Sequence, residues 1–172
     1  PMKEQQQDAE AALDVIRAQL QAQQIATVKG NSYTQDLEQG VIHAGMAWSG
    51  DVAILNEDAG EEIWKFVVPD AGATLFVDSF CMPVATEKRD LVQELIEYYY
   101  EPEVAAEVAA YVQYVTPVKG AQEAMAKLAP ELADNPLIFP DEDMSARIFD
   151  VRSLSSDEDN RYTQAFQKVL GN

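Results

Sequence analysis

Gly40-Val41-Ile42-His43-Ala44-Gly45-Met46-Ala47-Trp48-Ser49-Gly50-Asp51 is the stretch on which the fold class turns. From Val41 to Trp48 it is nearly continuous in apolar residues instead of alternating, the pattern of a strand covered on both faces within an α/β sheet. Ser49-Gly50-Asp51 then supplies capping residues for a helix over Val52 to Ala59. A buried strand that runs directly into a helix is the unit from which α/β sheets are assembled. His43, the only histidine of the chain, lies inside this run and reads as a partly buried structural residue.

Upstream, Ala9, Leu13, Ile16 and Leu20 recur at spacings of four, three and four, so an amphipathic helix is expected over about Asp8 to Gln23. Ile25 to Val28 reads as a short strand, and Ser32 to Gln35 has the capping-box form that starts a short helix ending at Gly40. Downstream, Trp64 to Pro69 and Thr74 to Met82 read as two further strands joined by Asp70-Ala71-Gly72. Thr86 is placed to cap a helix from Glu87 to about Tyr100, and Pro102 to open another that runs to about Val112. The remaining pattern is helical, over Lys119 to Leu128, Asp141 to Phe149 and Ser156 to Leu170. The expected fold class is therefore α/β, a mixed sheet flanked by helices with a helical C-terminal end.

Composition narrows the function before any site is considered. The chain has 172 residues, 47% hydrophobic and 24% charged, which is globular composition at a length able to bury a core. Twelve basic residues against thirty acidic give a net charge of −18, a field that repels a polyanion, so no nucleic-acid partner is expected. The apolar runs are broken by His43, Lys65 and Asp78, so no membrane span is expected. A single cysteine, Cys81, and a single histidine leave no material for a cysteine cluster, a multi-histidine metal site or a visible acyl-transfer triad. The acidic groups Asp141 to Asp143 and Asp157 to Asp159 fall at expected helix starts, where they complement the helix dipole. No nucleophile, metal set or phosphate loop emerges, so neither an enzyme nor a cofactor is expected.

The informative side chains stand at the ends of elements. Trp48 closes the apolar run, Phe76 and Asp78 lie two apart on one face of an expected strand, and Tyr114 follows a helix just before Thr116-Pro117. Open α/β sheets bind ligands at such ends. Aromatic rings beside a carboxylate suit an alkylammonium, because ring faces attract the cation and the carboxylate neutralises it.

The stretch from Gly40 to Asp51, then Val67-Val68-Pro69-Asp70-Ala71-Gly72 and Asp78-Ser79-Phe80-Cys81-Met82-Pro83, resembles the polyamine-binding proteins of bacterial ABC importers of the spermidine/putrescine type. The likeness continues through the helix Asp90 to Tyr100, Glu101-Pro102-Glu103-Val104-Ala105, Tyr114-Val115-Thr116-Pro117 and Asn135-Pro136-Leu137-Ile138-Phe139-Pro140. The resemblance implies a two-lobed periplasmic-binding-protein fold that closes on its ligand and delivers it to the membrane permease of an ABC importer. It implies that Trp48 stacks on the polyamine chain, that Asp78 pairs with an ammonium group and that Tyr114 lines the same cleft. Phe76 stands where the best-known members carry a second tryptophan, and a glutamine is expected near Val151.

By the same resemblance, residues 1–77 belong to the second lobe, 78–116 form a segment returning to the first lobe, and 117–172 complete the second lobe. The chain then corresponds to a C-terminal portion, with a signal or lipid anchor expected in the N-terminal part and a periplasmic or extracytoplasmic location. Two alternatives stay open. The same fold carries other amines, amino acids or metal complexes, and a stand-alone acidic interaction domain would account for the charge without any ligand.

Overall fold

The computed structural model describes residues 2–171, with side chains from residue 8. The chain divides into two compact units, Pro1–Ala44 with Arg152–Asn172, and Gly45–Val151. In the first unit α1 (Met2–Gln21) packs against the C-terminal helix, and α2 (Tyr33–Glu38) follows a loop. Ala9, Leu13, Ile16 and Leu20 are its half-buried residues while their neighbours are exposed, as the helical spacing requires. The C-terminal helix covers Ser156–Leu170 and presents Tyr162, Ala165 and Val169 at matching spacing. It starts in a full capping box: Ser155 Oγ accepts from the Glu158 amide, and the Glu158 carboxylate accepts from the Ser155 amide. It ends at Gly171, whose φ of 85° is the left-handed stop that glycine supplies.

The second unit opens with α3 (Ser49–Ala59), continues through an extended stretch to β1 (Ala73–Leu75), then α4 (Arg89–Tyr99), α5 (Pro102–Val112) and α6 (Ala121–Leu128). A short 3₁₀ turn over Pro130–Leu132, the one-turn α7 (Glu142–Ser145) and β2 (Ile148–Asp150) complete it, so the C-terminal helix is α8. Its core lies between α5 and α6. Ala106 and Ala109 of one face Ala124 and Met125 of the other, and Ala133 and Ile138 close the cluster. Alanine at the facing positions lets two helix backbones approach closely, which is why Met125 and Ile138 can be fully buried there. Pro102 occupies the first turn of α5, where its missing N–H is no loss.

β1 and β2 form a two-stranded parallel pair in the register Ala73↔Ile148, Thr74↔Phe149, Leu75↔Asp150. Gly72, at φ 97°, leads into it, and a Cβ there would lie 2.4 Å from the Phe149 ring. Arg147 fastens the approach by donating to the Val68 carbonyl at 2.9 Å.

The α/β class therefore stands, with eight α-helices and a small parallel pair among the described residues, but several expected elements do not form. Ile25–Val28, Val41–Trp48 and Trp64–Pro69 are extended or irregular without ladder hydrogen bonds, and of the strand expected over Thr74 to Met82 only Thr74 and Leu75 fall in a ladder. A strand is completed by a neighbour, and an apolar run with no adjacent edge stays extended whatever its propensity. His43 is accordingly exposed in a loop, not partly buried in a strand. The helix expected over Asp141 to Phe149 stops after one turn, because Ile148 and Phe149 pair with β1 instead. Asp141 still caps that turn, accepting from the Met144 amide at 2.7 Å. The side-chain caps expected of Ser32 and Thr86 are not formed: α2 has no side-chain cap, and α4 starts later, after Lys88.

Candidate ligand-binding site

Trp48 is the N-cap residue of α3, extended at φ −79° and ψ 141°, and its carbonyl accepts from the Val52 amide at 3.4 Å. The extended backbone turns its indole out of the helix, leaving it 39% exposed. Phe76 follows β1 directly and is 59% exposed. The two rings meet edge to face, with centroids 5.0 Å apart and planes at 80°. That geometry sets the positive edge of one ring against the negative face of the other. An aromatic pair that remains substantially open offers a surface to something apolar or cationic.

Asp78 stands two residues beyond Phe76, outside the strand and exposed, with no hydrogen bond or ion pair among the described residues. Tyr114 arrives from the other side of the chain. Gln113, the C-cap of α5, adopts φ 52°, ψ 36°, and this left-handed turn sends the chain back toward α3. The Tyr114 hydroxyl donates to Asp51 Oδ1 at 2.9 Å. Asp51 lies in the first turn of α3, three residues after Trp48.

Of the four side chains expected at the site, Trp48 and Phe76 are thus in direct contact. Tyr114 is tied to the same helix start through Asp51. Asp78 is placed by sequence adjacency to Phe76 and not by a bond to the others. Sequence reasoning read Asp51 only as a capping residue. The signal that could have marked it is its spacing: a carboxylate one turn after an open tryptophan has a second face available beside the ring.

The sequence profile of the bacterial extracellular solute-binding proteins matches residues 1–140. The chain belongs to that family. The putrescine-binding periplasmic protein PotF of Escherichia coli (strain K12) is 29% identical over 143 residues, 81% of this chain and 38% of that protein. A spermidine/putrescine-binding periplasmic protein of Salmonella typhimurium is 28% identical over 117 residues, 68% of this chain and 32% of the relative. The putrescine-binding periplasmic protein SpuD of Pseudomonas aeruginosa is 23% identical over 143 residues, 81% of this chain and 38% of that protein. The chain therefore spans less than two fifths of the length of these relatives. No helix among the described residues is long and apolar enough to cross a membrane.

Proposed function

We propose that this chain forms part of a periplasmic or extracytoplasmic solute-binding protein that recognises a polyamine, putrescine or spermidine, and hands it to the permease of an ABC importer. The observation that carries the reading is the open edge-to-face pair of Trp48 and Phe76, with the exposed carboxylate of Asp78 two residues further on. A polyamine presents methylenes and ammonium groups in alternation. Rings accept the methylenes and the flanking cations by dispersion and cation–π attraction, and a carboxylate neutralises the ammonium. Relatives named for putrescine and spermidine support the choice of ligand. In this reading Trp48, Phe76, Asp78 and Tyr114 are the ligand-facing residues.

The lobe assignment belongs to the same proposal. Residues 1–77 and 117–172 would make the second lobe and 78–116 would return to the first. The ligand then contacts residues on both sides of the crossing, and closure is favoured because the ligand touches both walls. Half of such a cleft is an open shelf, on which a hydrated carboxylate attracts an ammonium by only about 1 kcal/mol at 4 Å.

A thermal-shift panel on the full-length protein that carries these residues tests the ligand class. Putrescine or spermidine should raise the melting temperature, as any ligand selective for the folded state must. An unmoved melting temperature with both polyamines, together with a rise for an amino acid or another solute, would overturn the polyamine assignment.

A further inference from the structure

Gly50 lies between Trp48 and Asp51 in the first turn of α3 and is buried. A Cβ built on it would sit 2.5 Å from Cε2 and 2.7 Å from Cζ of the Tyr114 ring, and 2.5 Å from the Val112 carbonyl oxygen. No real side chain tolerates such distances. The Tyr114 ring and the end of α5 therefore rest on the bare backbone of α3, in the space that any other residue would fill. The backbone conformation does not explain the glycine, since Gly50 has no positive φ. Nor does helix propensity, because alanine is the better helix former. What remains is close approach, the use of glycine where another group must reach the main chain.

We infer that Gly50 is a positioning residue for ligand binding: it is the seat on which the Tyr114 ring is fixed against α3, two residues from Trp48. The seat fixes the position of the ring, and the hydrogen bond from its hydroxyl to Asp51 fixes the rotation. Together they hold Tyr114 beside the start of the helix that carries Trp48. Any side chain at position 50 lifts the ring and moves the 112–114 turn with it. This inference rests on the reading of Tyr114 as a ligand-facing residue, so its test separates the two.

Putrescine affinity is measured by titration calorimetry on the full-length protein in four forms: wild type, Gly50→Ala, Tyr114→Ala and the double variant. Thermal unfolding of each shows that the titrated protein is folded. Gly50→Ala should lower affinity by about tenfold, and Tyr114→Ala should cost about tenfold in the wild-type background but less than about twofold once Ala occupies position 50, the non-additivity expected of residues acting through one contact. If Tyr114→Ala costs affinity equally in both backgrounds, the seat inference is overturned while the reading of Tyr114 stands. If Tyr114→Ala leaves wild-type affinity unchanged, the reading of Tyr114 is what fails. Should Gly50→Ala not fold, the two Gly50 Hα resonances decide the matter. The ring current of a ring packed on the backbone widens their separation in the wild type, and that separation should narrow in Tyr114→Leu. Equal separation in both proteins would overturn the seat.

Discussion

Within Gly45–Val151, the α5–α6 pair and the stretch from Ile63 to Val84 are both rich in apolar residues, yet they end in opposite states. Between the helices, Ala106, Met125 and Ile138 are fully buried. Along the other stretch Ile63, Val67, Phe76, Val77, Phe80 and Val84 are each more than half exposed. The difference lies in what each backbone needs. A helix satisfies its own amides and carbonyls, so one neighbouring helix is enough to bury its apolar face. An extended chain must find a neighbour for its hydrogen bonds before its side chains can be enclosed, and β1–β2 is the one such pairing among the described residues. Trp64, Phe66 and Val68 still alternate half-buried against exposed Lys65 and Val67, the period of a strand without its ladder. The buried pair carries stability, and the open stretch carries Phe76 and Asp78, two of the four candidate site residues.

The largest effect should come from the buried side. Met125→Ala is expected to destabilise the protein by about 2–5 kcal/mol, the range for deleting a large buried side chain and leaving a cavity. Val84→Ala on the open side should stay within about 0.5 kcal/mol, as exposed substitutions do. Denaturant unfolding of the two variants checks the contrast, and equal losses would mean that the open stretch is packed in solution. Trp48→Ala should separate binding from folding. It is expected to cost about 1–2 kcal/mol of putrescine affinity through lost stacking and cation–π contact. A loss of stability in Trp48→Ala as large as that of Met125→Ala would instead place the indole in the core.

Smaller effects test the claim that helices here are satisfied locally. Ser155→Ala removes the capping oxygen of α8 and should lower stability by about 1 kcal/mol, read as a fall in melting temperature. The smallest effect concerns Glu158. Arg152 Nη2 donates to it at 2.9 Å, and the Ser155 amide and hydroxyl donate as well, holding its carboxyl down to about 2 from an ordinary 4.5. A group depressed on folding contributes stability above its unfolded value and loses it as the pH falls toward its folded value. The stability difference between the wild type and Glu158→Gln should therefore be constant above about pH 5 and shrink between pH 4.5 and 2. The pair is exposed, so the change is small. A difference independent of pH across that window would remove Glu158 from the capping box.

Sequence patterns place most of the helices because helical periodicity is a local property, but not all of their starts: α1 begins at Met2 instead of Asp8, and α3 at Ser49, inside the stretch expected to cap it. The stripe Ala9, Leu13, Ile16, Leu20 and the boundaries of α5 and α8 follow from spacing, Pro102 and Gly171 alone. The strands were legible only as apolar runs. Whether Val41–Trp48 pairs depends on an edge elsewhere in the chain, and Ile148–Phe149 reads as helix until β1 is placed beside it. At the candidate site, Trp48, Phe76 and Tyr114 are legible as aromatics at element ends, and the structure brings Trp48 and Phe76 into edge-to-face contact. The contacts of Asp51 and Gly50 with Tyr114 are hidden in the sequence, because that tyrosine lies more than sixty residues away and only the fold brings it near.

If the open aromatic pair and Asp78 form a polyamine site, putrescine binding must depend on the Asp78 carboxylate, which titration calorimetry of wild-type and Asp78→Asn full-length protein reads without an intermediary. The amide keeps the shape of the carboxylate and removes its charge, so folding should be unchanged. Affinity should fall by about 2–5 kcal/mol, the loss typical of truncating one partner of a desolvated charge pair. Wild-type affinity in a folded Asp78→Asn protein would take Asp78 out of the site and leave the aromatic pair without its carboxylate.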